Sequence, residues 1–265
     1  RDRSPSRGLG DVYKRQMISS AELSRAACCN LGESFVTNPS VDVSYSDAAT
    51  GAKQIKLLGL SGTYVQMLTE NIPNYRGAAS PYGLGYVPGP WMQSIQVSKG
   101  ISSVKNGYEA ITGQINVEFK KPQLPEADWV SANLFASSTN RYEANADATL
   151  KLSKRWSTSL LAHYENETKA HDGNDDGFVD IPQVEQYNVW NRWAYMGDHY
   201  VFQAGFKALS ESRTSGQAHH TDMQTGDLYK VGIDTERYEF FTKNAYIFNK
   251  EKLSLIHISE PTRRT

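Results

Sequence analysis

The sequence predicts a small α/β domain followed by antiparallel strands of a truncated transmembrane β-barrel, an open curved sheet of about six strands in this chain. Three observations carry that reading. Helix and strand signals are mixed as far as Pro122, whereas after Pro125 the apolar residues recur with a period of two and keep it. The alternating runs are about nine to eleven residues long, the length of a tilted membrane strand, while strands of a soluble sandwich run to about five or six. Hydrophobic residues make up 39% and aromatics 11%, with 15 Tyr and 5 Trp. No run approaches the roughly 20 apolar residues that a membrane helix needs, which excludes a helical membrane protein.

The elements follow in order. Ser19-Ser-Ala-Glu22 reads as a capping box with Ser19 as the cap, opening a helix whose apolar positions include Leu23, Ala26 and Ala27. A second short helix is expected over 31–35. Strand candidates lie at 41–45, 53–60, 64–68, 95–98 and 114–119. Between the third and fourth, residues 71–90 are too rich in Gly and Pro for regular structure and long enough to suggest function.

Beyond Pro125 each strand shows one apolar and one polar face. Val130, Ala132, Leu134 and Ala136 alternate with Ser131, Asn133 and Ser137, and Tyr142, Ala144, Ala146, Ala148 and Leu150 alternate with Glu143, Asn145, Asp147 and Thr149. Trp156 to Tyr164 and Tyr200 to Ala208 repeat the pattern, Tyr238/Phe240 and Tyr246/Phe248 show it less cleanly, and 187–195 hardly shows it. Connections at 153–155, 196–199 and 249–252 are short, whereas 168–186 and 211–236 are long. Short and long connections largely take turns, as the two ends of a membrane barrel require. The first hairpin, through 138–141, is the exception on the long side.

The richest local pattern runs from Ile95 to Val117, where Ile95/Val97 and Ile115/Val117 read as two short strands and Gly100, Gly107 and Gly113 punctuate the loop between them. With Lys99, Ser103, Ala110 and Asn116 in order, it resembles the signature of the plug domain of TonB-dependent outer-membrane receptors. Lys99 stands for the usual Arg, Ile101 for Pro, Lys105-Asn106 for Leu-Tyr and Thr112 for Gly. The resemblance covers 19–252 and is strongest over 57–122. It implies a 22-stranded barrel in the outer membrane of a Gram-negative bacterium, closed by the plug. A TonB-type inner-membrane complex would pull on an N-terminal box, absent here, to admit a scarce ligand such as a siderophore, cobalamin, haem or metal chelate. Transport would be mechanical gating, with no enzyme activity and no required cofactor.

Residues 6–16 and 254–263 can be back-translated into strands that are reverse complements of one another, and both resemble a transposase adapter read through in frame. The expected organisation is therefore an adapter-derived tail over 1–16, the plug over 17–122, the start of the barrel over 123–252 and a second tail over 253–265. The tails hold seven of the 28 Lys and Arg and three of the 29 Asp and Glu, leaving 21 against 26. A mildly acidic remainder argues against a nucleic-acid partner. Cys28 and Cys29 are adjacent, so they form no disulfide framework and read as small packing residues.

Two places could carry chemistry. Tyr75, Arg76, Tyr82 and Tyr86 fall in the long irregular stretch, where a plug would face the external opening, and Tyr faces with an Arg fork suit a planar, anionic ligand. Asp172, Asn174 and Asp176 followed by Gly177 match the opening of a calcium loop, with Asp180 at position nine and Gln183 in place of the closing Glu. The alternative is a solvated acidic turn. His219-His220 is a weaker metal candidate, and no catalytic set or phosphate loop is present. The rival overall reading is a soluble or surface-exposed β-rich binding protein with a calcium-stabilised loop.

Overall fold

A computed structural model describes residues 15–25, 29–36, 38, 41–47, 49–60, 62–101, 109–122, 129–219, 226–249, 253–259 and 262–264. The chain divides into two compact units, 1–120 and 121–265.

In the first unit, strand β1 (Arg15–Ser19) leads directly into helix α1 (Ser20–Arg25). Half of the expected capping box is seen: the Ser19 backbone N–H donates to Glu22 Oε2 at 2.7 Å. The second expected helix is reduced to one 3₁₀ turn, Glu33–Phe35. Asn30 and Glu33 close that turn by exchanging bonds, the Glu33 N–H to Asn30 Oδ1 at 3.1 Å and Asn30 Nδ2 to Glu33 Oε1 at 2.9 Å. Ala26, Ala27 and Cys28 lie outside the described residues, and Cys29 is buried.

Strands β2 (Asp42–Asp47) and β3 (Ala52–Lys56) form a separate hairpin. Strands β4 (Val65–Thr69), β5 (Ile72–Pro73), β6 (Met92–Lys99) and β7 (Gly113–Phe119) join β1 in a sheet ordered β1-β6-β7-β4-β5. Among the described residues only β4 and β7 pair in parallel. Alternation on β6 and β7 buries Ile95, Val97, Ile115, Val117 and Phe119 completely, together with Leu31, Phe35, Leu57, Leu68 and Trp91. Burying an Ile, Leu or Phe side chain contributes about 1.5–3 kcal/mol each, so this cluster dominates the stability of the unit. Strand β5 is an addition inside the stretch expected to be irregular. A two-residue turn with Glu70 at φ 53° and Asn71 at φ 64° folds it back on β4.

The second unit is a meander of β8 (Trp129–Ala136), β9 (Tyr142–Lys151), β10 (Trp156–Glu167), β11 (Gln183–Met196), β12 (Tyr200–Gly216) and β13 (Lys230–Asn249). Each pairs antiparallel with the next, and among the described residues β8 has no second neighbour, so the sheet is open. These six strands are the number expected from the sequence. Two further strands, β14 (Leu253–Ser259) and β15 (Thr262–Arg264), pair with the far edge of β13. Residues of the C-terminal tail thus cover that edge. The run Leu-Ser-Leu-Ile-His-Ile is short and rich in β-favouring apolar residues, and the open backbone edge of β13 offers it a partner. The connection expected over 211–236 is also shorter, 217–229, because β12 and β13 continue pairing after their outward residues become Ser210, Ser212 and Thr214. Apolar alternation ends there, but the hydrogen-bond ladder does not.

Candidate functional site

The glycines of the signature are required for different reasons. Gly113 begins β7 at φ 155°, and a Cβ there would stand 2.3 Å from the Ser98 carbonyl oxygen and 2.9 Å from Leu57 Cδ1. Gly100 lies at φ 89° with nothing within 4 Å of its Cβ position, so it is needed for its backbone conformation alone. Its N–H donates to the Thr112 carbonyl at 2.7 Å. Lys99 ends β6 opposite Gly113. Asn116 is buried, and its Oδ1 accepts the Asn71 N–H at 2.7 Å while its Nδ2 donates to Glu118 Oε1 at 2.9 Å. This signature Asn therefore holds the left-handed β4–β5 turn against β7. Gly107 lies outside the described residues.

The four residues expected at the apex separate into two pairs. Tyr75 and Tyr86 are 3% and 1% exposed, with ring centroids 6.3 Å apart, so they are core residues and offer no face to a ligand. Tyr75 reaches the core through a left-handed backbone, φ 53°, and packs over Gly83, where a Cβ would meet its own Cβ at 2.7 Å. Sequence spacing carries no sign of that inward turn. Arg76 and Tyr82 remain partly exposed. Arg76 is fixed between Tyr75 and Gly77, both at positive φ, and its Nε lies 2.6 Å from Glu109 Oε2. Glu109 stands just before the buried Ala110 and was not singled out from the sequence, where an isolated Glu beside a Gly-rich loop gives no signal of a partner 33 positions away.

In the acidic loop the carboxylates are occupied by the loop's own backbone. Asp172 accepts the N–H groups of Asp176 at 3.2 Å and Gly177 at 2.8 Å, Asp176 accepts that of Phe178 at 2.8 Å, and Asp180 accepts that of Gly173 at 2.6 Å. Asn174 bonds Asp176. Gln183, at the closing position, donates instead to the Thr168 carbonyl. Among the described residues, no three His, Cys, Asp or Glu side chains gather as a metal site. The loop is tied to the next connection by Val179 N–H to the Gly216 carbonyl, Ala218 N–H to the Gly177 carbonyl, both 2.8 Å, and by His219 at 3.6 Å from Asp172. His220 lies outside the described residues.

The large sheet has two chemically distinct faces. On one, Val130 and Leu134 are 76% and 81% exposed, and Leu160, Val189, Trp193, Phe206 and Phe240 are exposed beside them. Aromatics collect toward both ends of this face. Trp156, Tyr195, Phe202 and Tyr200 pack together near the short turns, with centroid separations of 5.1–6.4 Å, and Tyr164 stacks on Tyr187 at 4.9 Å toward the long connections. Along β12 the row of Tyr200 and the row of Ser210, which pairs Tyr187, are ten residues apart. That is about 33 Å along the strand, or about 25 Å normal to a membrane at a strand tilt of about 40°.

The other face is polar and buried. Arg141 bridges Glu143 at 2.5 Å and Glu165 at 3.0 Å, and His163 Nδ1 lies 2.9 Å from Asn145 Oδ1. Gln186 donates to Glu211 at 2.7 Å, and Arg237 and Lys207 share Glu239 at 2.6 and 3.9 Å. Trp190 belongs to this face and packs on Phe241 at 5.7 Å, beneath Arg192. An inward Trp flanked by outward Val189 and Asn191 is why 187–195 hid its alternation in the sequence.

Residues 12–114 match the family TonB-dependent Receptor Plug Domain. No curated protein matches the chain by sequence. Solved structures similar to it include the ferripyoverdine receptor of the outer membrane of Pseudomonas aeruginosa, bound to ferripyoverdine, at 15% identity and a TM-score of 0.69. That match covers 94% of this chain and 34% of the other. The ferric yersiniabactin uptake receptor FyuA from Yersinia pestis matches at 15% identity and 0.68, covering 92% and 39%, and the copper transporter OprC at 13% and 0.69, covering 92% and 36%. The chain thus spans about a third of the length of these proteins, and at such identities the likeness is one of fold.

Proposed function

We propose, from the premise that the first unit is a TonB-dependent receptor plug domain and the second the opening strands of its barrel, that the chain belongs to an outer-membrane transporter for a scarce ligand. The observation that carries this reading is the union, in one chain, of the plug signature with a sheet whose exposed face is apolar over about 25 Å and edged by aromatics. A soluble β-rich binding protein would have to leave Val130, Leu134, Phe206 and Phe240 in water. The ligand class is a siderophore, haem, cobalamin or another metal chelate, and similar structures include receptors for ferric siderophores and a copper transporter.

Transport in this reading is displacement of the plug by a TonB-type complex, so no side chain needs a catalytic role. Arg76 and Tyr82 are the apex residues placed to meet the ligand, Arg76 by charge and Tyr82 by its ring. Loop 168–182, tied by hydrogen bonds to residues 216–218, belongs to the outer rim. The test uses the full-length receptor in an outer-membrane preparation. It should fractionate with the outer membrane, and cells expressing it should accumulate at least one labelled ferric siderophore, haem, cobalamin or copper chelate in a way that a protonophore abolishes. Recovery as a detergent-free soluble protein would refute the proposal.

A further inference from the structure

The ion pair between Arg76 and Glu109 joins two backbones that are otherwise far apart in sequence, and both side chains are open to solvent, at 40% and 28%. Arg76 is rigidly mounted. Asn74 Oδ1 accepts the Tyr75 N–H at 2.8 Å, Asn74 Nδ2 donates to Thr69 at 3.2 Å, and Tyr75 is locked into the core beside Gly83. Just after Glu109 the chain is held too, where the Ile111 and Thr112 N–H groups donate to the Tyr64 carbonyl at 3.2 and 3.1 Å and Thr112 Oγ1 donates there at 3.0 Å. Both backbones are thus held on either side of the pair, and an anion arriving from solvent can reach the partly exposed guanidinium.

We propose that Glu109 is a specificity-determining counter-ion of the apex: it holds Arg76 until an anionic group of the ligand displaces it. The inference rests on the reading of Arg76 as a ligand contact. Guanidinium forks recognise planar, two-oxygen anions, so the ligand class is a chelate carrying a free carboxylate or comparable anionic oxygens. A neutral chelate leaves the pair intact and gains nothing from Arg76. Displacement costs the ion pair, and an exposed pair is worth about 0.2–1 kcal/mol, so Glu109 weakens anion binding by about 1.5- to 5-fold. Because neutral chelates are unaffected, Glu109 narrows the preference for charged over neutral ligands by the same factor, which is tuning of specificity by a competing group within the protein itself.

The experiment measures binding of ferric citrate and of a neutral ferric trihydroxamate to the full-length receptor in detergent, as wild type, Glu109→Gln, Glu109→Asp and Arg76→Ala. Glu109→Gln should bind ferric citrate about 1.5- to 5-fold more tightly, Glu109→Asp should return toward wild type, and the neutral chelate should show no difference among these forms. Arg76→Ala should weaken ferric citrate about tenfold or more, the loss of a charge-assisted contact. Hydrogen exchange of the β7 amides, unchanged in Glu109→Gln, certifies that the plug still folds. Unchanged or weaker citrate binding in Glu109→Gln, with Arg76→Ala still impaired, overturns the counter-ion and leaves the apex reading standing. No effect of Arg76→Ala overturns the apex reading first, and absence of citrate binding in both wild type and Glu109→Gln overturns the counter-ion directly.

Discussion

Alanine at Gly113 and at Gly100 should have very different consequences, although the two glycines belong to one motif. At Gly113 the new Cβ would lie 2.3 Å from the Ser98 carbonyl oxygen, a backbone atom, and 2.9 Å from the buried Leu57 Cδ1. Neither neighbour can yield cheaply, since Ser98 is paired with Gln114 in the β6–β7 ladder and Leu57 is fully buried. Overpacking costs about 1–3 kcal/mol. The unfavourable φ of 155° adds about 1–3 kcal/mol. The sum is about 2–6 kcal/mol, a large part of the 5–15 kcal/mol that a whole domain has. At Gly100 the Cβ meets nothing, and only the backbone cost at φ 89° remains, about 1–2 kcal/mol. Native-state hydrogen exchange on the β6 and β7 amides of the full-length receptor reads both. Gly113→Ala should accelerate exchange by at least tenfold more than Gly100→Ala. Equal effects of the two substitutions would refute the steric account and leave turn conformation as the common cause.

Three further outcomes follow from the same geometry. Gly205→Ala should destabilise the inner face by about 1–3 kcal/mol, because its Cβ would stand 2.3 Å from the buried Phe241 ring, and thermal unfolding in detergent should register the loss, whereas Gly232→Ala, with open space around its Cβ, should not. Tyr82→Ala should reduce ligand affinity with little change in plug stability, while Tyr75→Ala should cost about 3–5 kcal/mol of stability, by analogy with other buried aromatics; reversal of that split, read by binding and hydrogen exchange, would return Tyr75 to the ligand surface. Limited proteolysis of the 168–182 loop should be equally slow with millimolar calcium and with chelator, since Asp172, Asp176 and Asp180 already accept backbone N–H groups of the loop, and Asp172→Asn should speed cleavage in both conditions; protection by calcium alone would establish the cation site.

How much of this was legible in the sequence depended on whether a residue's role is set by near or by distant neighbours. The capping box at Ser19 and Glu22 and the period-two strands are local patterns, and they appear where the residues place them. The lipid-type face was legible for the same reason, because alternation on β9 alone states which side of a strand is apolar. What the sequence could not give was direction at an irregular position. Tyr75, Arg76, Tyr82 and Tyr86 lie within twelve residues and share the same composition of rings and charge, yet a single left-handed φ at Tyr75 sends one ring inward and leaves the next side chain outside. The glycine that allows it, Gly83, lies eight positions away and looks like any other turn residue.

The signature itself divides along this line. Its glycines announced a tight backbone, and Gly113 and Gly100 do occupy tight or left-handed sites. Asn116 announced nothing about its task, because the group it serves, the Asn71 N–H, sits on a turn 45 residues earlier. A left-handed turn of Glu70 and Asn71 is an expensive conformation for two residues with side chains, so it needs an outside anchor, and the anchor must come from the strand that β4 pairs with in parallel. Asn at the fourth position of β7 supplies an acceptor for the turn and a donor for Glu118 at once, which an ionised Asp could not do. The Asn of a Gly-x-Ile-Asn strand is therefore a tertiary residue written in a local motif. The same holds for Glu109, whose partner Arg76 lies across the unit, so the charge chemistry of the apex is set by a residue that belongs to the signature loop and not to the apex stretch.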